Sequence, residues 1–189
     1  MDLFEEIDLQ RPDFGELYDE LPLWSAPFGL RMLEQVRIGP ALTFLDVGAG
    51  TGFLSIELAQ RCGARSTVHA VEPWAAATRR LRWKLERLGV PNVLVHECDA
   101  VSLPLPDGVV DVVVSNLGIN NFADPAAVLS ECVRVARPGA AFHLTTNLSG
   151  HMREFYDVFR ATLREAAVPE TLDALDAHVA HRGTLASVE

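Results

Sequence analysis

The 189-residue sequence contains few cysteines and no long uninterrupted apolar run. Its three cysteines are widely spaced and form no Cys-x-x-Cys pair, which argues against a disulfide framework and favours reduced thiols. The acidic N-terminus lacks the basic and apolar regions of a signal peptide, and no apolar segment is long enough to span a bilayer. We therefore expect a cytoplasmic protein without a membrane span.

Basic residues are also scarce, since 16 Lys and Arg stand against 26 Asp and Glu, for a formal net charge of -10. A nucleic acid would be repelled except at a local basic patch, so we expect a small or lipid-like partner molecule and no nucleic acid. Hydrophobic residues make up 49% of the chain, which is enough to bury a core. We expect one domain with an N-terminal helical cap (1–40), a core (41–150) and a C-terminal helical segment (151–189).

The most distinctive stretch, residues 45–53, lacks two familiar phosphate-binding motifs. A short apolar run stops there at Asp46, and glycines follow at alternate positions, as in a sharp turn from a strand into a helix. The dinucleotide pattern G-x-G-x-x-G would require glycine in place of Phe53, and no phosphate-loop lysine follows. Gly48 and Gly50 allow a ligand to lie directly against the main chain. Asp46 also allows a cation, and a glycine-rich turn without a ligand is the alternative.

Short apolar runs alternate with segments of helical periodicity along the central part of the chain. We predict strands over 41–47, 66–71, 92–96, 109–115 and 141–146, and helices over 53–62, over 73–88 and from 124 to the Arg-Pro-Gly sequence at 137–139. Strands that alternate with helices are typical of βαβ units, so we expect an α/β fold with a parallel sheet and right-handed crossovers.

A polar side chain follows each of the first four predicted strands. Asp46 ends the first, Glu72 the second, Asp99 follows the third and Asn116 the fourth. Ligands bind beyond the carboxyl ends of the strands in an open parallel sheet, so these residues predict one site. Each also has a simpler interpretation: Glu72 as an acid at a helix start, Asp99 as a loop or capping acid, and Asn116 as a turn former.

Three segments carry a resemblance to a known family. The sequence LDVGAGTGFLS at residues 45–55 resembles the first signature of the class I S-adenosylmethionine-dependent methyltransferases, and the likeness extends over about 41–146. LSECVRVARPG at 129–139 is similar to the helix and turn that precede strand five in that family. YDELPLWSAPFG at 18–29 resembles the ubiquinone and menaquinone biosynthesis methyltransferases, within the methyltransferase type 11 group.

The resemblance implies a Rossmann-like parallel sheet of order 3-2-1-4-5 with helices on both faces, and S-adenosyl-L-methionine as the cofactor. In this family the acid matching Glu72 holds the ribose hydroxyls and the acid matching Asp99 holds the adenine amino group. The glycines would lie against the methionine part, with Asp46 near its ammonium group. The implied cofactor-binding residues are Asp46, Gly48, Ala49, Gly50, Glu72, Pro73, Asp99, Ala100, Asn116 and Leu117.

The implied function is in-line transfer of a methyl group to a small-molecule acceptor. The sulfonium is already activated, so a general base is optional, and neither a catalytic residue nor a metal site is predicted. His151 follows strand five and is a candidate base, although a surface or helix-start histidine is the favoured interpretation. The alternative function is an S-adenosylmethionine-binding regulatory or inactive partner protein. A homodimer is compatible with the sequence.

The end of the chain departs from the family pattern. The class I fold normally finishes with two more strands after strand five, and none is evident before Glu189. The helical segment from 151 to 182 resembles the insertion that precedes those strands. We therefore expect a truncated form of the fold, with an exposed edge at strand five or its neighbour.

Overall fold

The computed structural model describes residues 8, 11, 13–20, 24–180, 182–184 and 186. The chain separates into two compact units, Met1–Thr145 and Thr146–Glu189. Several residues of the predicted N-terminal cap, including 1–7 and 21–23, lie outside the described part of the chain.

The first unit is built around a five-stranded sheet in which every neighbouring pair of strands is parallel. Its strands are β1 (Thr43–Val47), β2 (Thr67–Val71), β3 (Val93–His96), β4 (Val110–Asn116) and β5 (Ala136–Thr145). The order β3-β2-β1-β4-β5 confirms the order expected from the resemblance.

Five helices accompany this sheet in the described residues. Two precede it and three connect its strands: α1 (Phe14–Asp19), α2 (Ala26–Leu33), α3 (Phe53–Cys62), α4 (Ala75–Leu88) and α5 (Pro125–Val135). A 3₁₀ helix, Gly118–Asn121, follows β4. The bounds of α3 are those predicted from the sequence, because Gly52 and Gly63 flank its apolar pattern with backbone angles that no helix continues.

Buried side chains fill both faces of the sheet. On one face, Phe44 of β1 belongs to a cluster that includes residues of α2, α3 and α4. On the other, Leu45 and Val47 belong to a second cluster with residues of α5. Successive strand residues point to opposite faces, so a central strand covered on both sides is apolar almost throughout. The predicted helices on both faces are confirmed.

The junction between α5 and β5 differs from the prediction. We expected the helix to end at the Arg-Pro-Gly sequence and the strand to begin at 141. The helix ends at Val135 and the strand begins at once, with Val110 paired to Ala136 and Val112 to Ala141. Residues 137–140 therefore bulge from the ladder. Pro138 has no N–H to donate, and Gly139 has a φ of +82°, so these residues interrupt the pairing rather than the helix.

The described part of the second unit includes the helices α6 (Arg153–Glu165) and α7 (Pro169–Ala180). Leu163 and Leu175 are its buried apolar residues, and Arg160 Nε donates to Asp176 Oδ1 at 2.6 Å between the helices. No strand follows β5 within the described residues. None of the described helices is both long enough and apolar enough to cross a bilayer.

A histidine pair joins β2 to β3 at the edge of the sheet. His69 Nδ1 lies 3.0 Å from His96 Nε2, and the two rings stack with their centroids 5.2 Å apart. Burial lowers the pKa of both rings, and the nearby His96 lowers the pKa of His69 further. One ring must stay an acceptor for this bond to form, because two imidazolium groups would place two donors face to face.

We predict that this pair stabilises the fold at neutral pH and does so less in acid. Both folded-state pKa values are depressed, so the contribution is complete above the unfolded value of about 6.5 and is lost as the pH falls below it. The difference in unfolding free energy between the wild type and His69→Gln should shrink as the pH is lowered through this range in urea titrations. His143→Gln, in β5, is the control. A constant difference would contradict the prediction.

Candidate functional site

The carboxyl edge of the sheet brings together the four polar residues predicted from the strand ends. Asp46 is the penultimate residue of β1, and Asn116 is the last residue of β4. Glu72 directly follows β2, and Asp99 lies three residues after the end of β3. β1 pairs with both β2 and β4, so the glycine turn after β1 lies at the centre of this edge.

The three glycines of the turn serve three different purposes. All have positive φ, at +73° for Gly48, +54° for Gly50 and +89° for Gly52. A Cβ on Gly52 would lie 2.1 Å from Leu81 Cδ1, and one on Gly48 would lie 3.0 Å from Gly118 Cα. A Cβ on Gly50 would meet no atom within 4 Å. Gly52 is thus required by helix packing and Gly48 by the approach of a second loop, whereas Gly50 opens onto unfilled space.

Glu72 holds the open part of the turn in place. Its Oε2 accepts from the Gly50 N–H and its Oε1 from the Trp74 N–H, each at 2.9 Å. Burial raises the pKa of this carboxyl, and the two N–H donors oppose that rise. A carboxylate has about four lone-pair sites, so Glu72 retains acceptor capacity beside Gly50. Pro73, the next residue, is exposed.

Asp46 is enclosed within the junction of β1 and α3. Its side chain is buried, with 1% of the residue exposed, and its Oδ2 accepts from Ser55 Oγ at 2.6 Å. Burial, together with the charge of Glu72, raises the pKa of Asp46 to about 7, against the lowering effect of its bond from Ser55. The sequence did not reveal the role of Ser55, because a serine inside a predicted helix gives no sign of which acid it meets.

The loop after β3 presents one exposed acid and one buried apolar residue. Asp99 is exposed and its Oδ1 accepts from the Val101 N–H at 3.0 Å, which closes a short turn. Ala100 is buried in the cluster on the α5 side of the sheet, with 6% exposed. This arrangement leaves Asp99 accessible at the carboxyl edge.

The end of β4 is fixed by Asn116 and by the side chain of Thr145, which sequence reasoning did not identify. Asn116 Nδ2 donates to the Ser25 carbonyl at 3.1 Å, and Asn116 Oδ1 accepts from Thr145 Oγ1 at 2.8 Å. Leu117 has a φ of +61°, a strained conformation for a residue with a side chain. Its N–H donates to Thr145 Oγ1 at 3.0 Å. Strain that is held in place by neighbouring bonds is common at binding sites.

A partly buried acid on α1, Asp19, also reaches the glycine turn. Asp19 accepts from Thr51 Oγ1 at 2.7 Å, from Arg80 Nε at 2.9 Å and from Lys84 Nζ at 2.7 Å. These donors lower its pKa against the opposing effect of burial. Tyr18 packs edge-on against Trp74, with ring centroids 5.6 Å apart. The one sequence signal was the spacing of Arg80 and Lys84, which puts two cations on one face of α4.

The sheet geometry agrees with the comparisons to known proteins. The family profile described as "Methyltransferase domain" matches residues 45–144, just over half of the chain. A solved S-adenosylmethionine-dependent methyltransferase from Aquifex aeolicus superposes with a TM-score of 0.60 and 26% identity, over 70% of this chain and 69% of that one.

Two curated relatives are also similar to this chain. An arsenite methyltransferase of Aquipseudomonas alcaligenes is 33% identical over 66% of this chain and 42% of that protein. A demethylmenaquinone methyltransferase of Thermus thermophilus is 40% identical over 50% of this chain and 42% of that protein. The chain thus spans less than half the length of these two relatives.

We predict different effects for alanine at Gly50 and at Gly52. Both substitutions strain a positive φ, at a cost of about 1–2 kcal/mol, but only Gly52→Ala also overlaps Leu81 and should lose roughly 1–3 kcal/mol more. Gly50→Ala should keep most of its stability and weaken S-adenosylmethionine binding at least tenfold, because its methyl group occupies the open space. Chemical unfolding and calorimetric titration measure the two effects. Equal unfolding free energies, or unchanged affinity in Gly50→Ala, would contradict this assignment.

Proposed function

Because the chain belongs to the class I S-adenosylmethionine-dependent methyltransferases, we propose that it binds this cofactor at the glycine turn and methylates a small-molecule acceptor. The observation that carries the proposal is the open space over Gly50 beside the carboxylate of Glu72. S-adenosylmethionine matches these two features if its ribose hydroxyls donate to the acid and its methionine part lies against the glycine.

Residue roles follow from the family resemblance and from the position of each side chain. Glu72, with acceptor capacity left beyond its two N–H bonds, would hold the ribose hydroxyls. Asp99, exposed after β3, would accept from the adenine amino group, with buried Ala100 against the ring. The other proposed contacts are the main chain of the turn, the segment after Glu72 and the loop after β4, through Gly48, Ala49, Gly50, Pro73, Asn116 and Leu117.

Asp46 would act on the cofactor through its charge. Its carboxylate is tied to Ser55 and buried, so it contributes a field beneath the turn rather than an open ligand-binding group. Neither Asp46 nor Glu72 forms an ion pair among the described residues. A sulfonium and an ammonium group would supply the missing positive charge, whereas a phosphate would be repelled.

The chemistry then depends mainly on alignment. The sulfonium carries its own leaving group, and the acceptor atom must approach the methyl carbon opposite the C–S bond. Orientation and exclusion of water can supply on the order of 7–11 kcal/mol of the barrier. The fixed loop of Asn116 and Leu117 lies at the strand next to the glycine turn, where the acceptor would enter. A base is required only for an acceptor that is not already ionised.

We predict that Glu72→Gln weakens S-adenosylmethionine binding about 10-fold to 100-fold in calorimetric titrations. The amide keeps one acceptor oxygen and loses the charge-assisted bonds, each of which contributes roughly 1.5–3 kcal/mol. Asp111→Asn is the matched control. Its carboxylate also accepts from a backbone N–H, that of Thr43 at 2.8 Å, but at the amino edge of the sheet. That variant should bind the cofactor like the wild type.

The same proteins test the activity. The wild type with a small-molecule metabolite extract should form S-adenosylhomocysteine, and Glu72→Gln should form less at a fixed cofactor concentration. Binding without product would favour the alternative of a non-catalytic partner protein. Failure to bind S-adenosylmethionine, with binding of a nicotinamide cofactor instead, would overturn the proposal.

A second prediction concerns proton release. A positively charged cofactor lowers the pKa of Asp46 from about 7, so binding near neutral pH should expel a proton, and affinity should rise from about pH 6 to about pH 8. Titrations in buffers of different ionisation enthalpy measure the released protons. Asp46→Asn keeps an oxygen for Ser55 but cannot ionise, so it should release fewer. Equal proton release in the two proteins would contradict the role of Asp46.

A further inference from the structure

The second unit contains a cleft that the proposed methyl transfer does not use. Its volume is about 360 Å³, and it is formed by residues 149–151, the first two turns of α6 and Val179 of α7. Its polar lining residues are Ser149, His151, Arg153, Tyr156, Asp157 and Arg160. All of these residues belong to the unit Thr146–Glu189.

Two arginines and one aspartate line this cleft, although the whole chain carries a net charge of -10. Arg160 is neutralised by Asp176 at 2.6 Å and lies 3.5 Å from Asp157. Arg153 and Arg182, in contrast, form no ion pair with any described residue. Within the described part of the chain, these two guanidinium groups therefore have no carboxylate partner. Arg153 lines the cleft, and Arg182 contacts two of its lining residues.

Arg182 is held in position by uncharged groups. It donates to the His151 carbonyl at 3.0 Å and to the Tyr156 hydroxyl at 2.6 Å, and it stacks over the Tyr156 ring at 4.7 Å. Its Nη2 also lies 3.4 Å from His178 Nε2, so three of the five N–H donors of the guanidinium have partners. The side chain is pre-ordered, which reduces the entropy lost when its remaining donors bind an anion.

Arg153 lies over the loop at the start of α6. A Cβ on Gly150 would be 3.3 Å from Arg153 Nη2, and Gly150 has a φ of +91°. Met152 is the N-cap residue of α6, and its side chain makes no capping bond. The cleft lining therefore includes the N-terminal end of α6 and Arg153, whose guanidinium forms no ion pair with a described residue. The ordered guanidinium of Arg182 adjoins the cleft through its bonds to His151 and Tyr156.

We propose that this cleft binds the phosphate group of a small molecule. Arginine forks match the oxygens of a phosphate, and charge-assisted bonds of this kind are among the strongest in proteins. The volume accommodates more than a single phosphate, so the ligand is a phosphate ester or diphosphate rather than the inorganic ion alone. The proposal is independent of the methyl transfer, since it rests on residues of the second unit only.

Binding of sodium pyrophosphate to the ¹⁵N-labelled full chain, without S-adenosylmethionine, tests the site. Amide signals of residues 149–157 should shift and saturate in ¹H–¹⁵N spectra. Arg153→Gln removes no side-chain hydrogen bond to a described residue and should weaken binding at least tenfold. Arg164→Gln is the matched control, because it removes the same charge from the last turn of the same helix. It should bind pyrophosphate like the wild type.

Three results would overturn the proposal. They are the absence of saturable shifts at these amides, equal affinity in Arg153→Gln and the wild type, and identical shifts with sodium chloride at the same ionic strength. Tighter binding of malonate than of pyrophosphate would overturn the phosphate assignment. Arg182→Lys provides a second variant, since it keeps the charge but loses the fork, and it should bind more weakly than the wild type. Wild-type affinity in Arg182→Lys would remove Arg182 from the site.

Discussion

The two bonds that Glu72 accepts from the backbone join the three pieces of the site. The residue follows β2, the Gly50 N–H belongs to the turn after β1, and the Trp74 N–H opens the segment that leads into α4. Glu72 therefore holds the shape of the glycine turn and also lies beside the open space over Gly50. A change at Glu72 alters recognition and turn geometry together, whereas Asp111, which also accepts a backbone N–H, holds only the far edge of the sheet.

The charges at this edge explain which ligands it favours. Burial raises the pKa of both Asp46 and Glu72, whereas Asp19, equally close to the turn, has its pKa lowered by Lys84, Thr51 and Arg80. Arg80 and Lys84 thus neutralise Asp19. Asp46 and Glu72 form no ion pair with any described residue. An arrangement of this kind favours a positively charged ligand and disfavours a phosphate in the turn. The absence of a phosphate-loop lysine after the turn likewise indicated that the turn does not bind a phosphate.

Much of this fold was predictable because local patterns and tertiary packing agree. The glycines at 52 and 63 delimit α3 in the sequence and in the structure, and the near-continuous valines of β4 are buried as predicted. The start of β5 was not predictable, since Arg-Pro-Gly is typical of a helix end and becomes a bulge only through pairing with β4. The Asp19 contacts were also missed. They join residues 32 to 65 positions apart, and no local pattern identifies such partners.

The position of α1 follows from the energetics of Asp19. Its side chain is 16% exposed, and those of its partners Arg80 and Lys84 are 21% and 17% exposed. Charges removed from water to this extent are stable only when their hydrogen bonds are satisfied, and the hydroxyl of Thr51 completes the set. Thr51 directly follows Gly50, whose N–H is held by Glu72. The first helix and the acid after β2 therefore hold adjacent residues of one turn, which favours treating α1 as part of the cofactor-binding core. A ligand that reorients Gly50 would also shift Thr51 and strain its hydrogen bond to Asp19. Conversely, displacement of α1 would remove that bond and loosen the glycine turn.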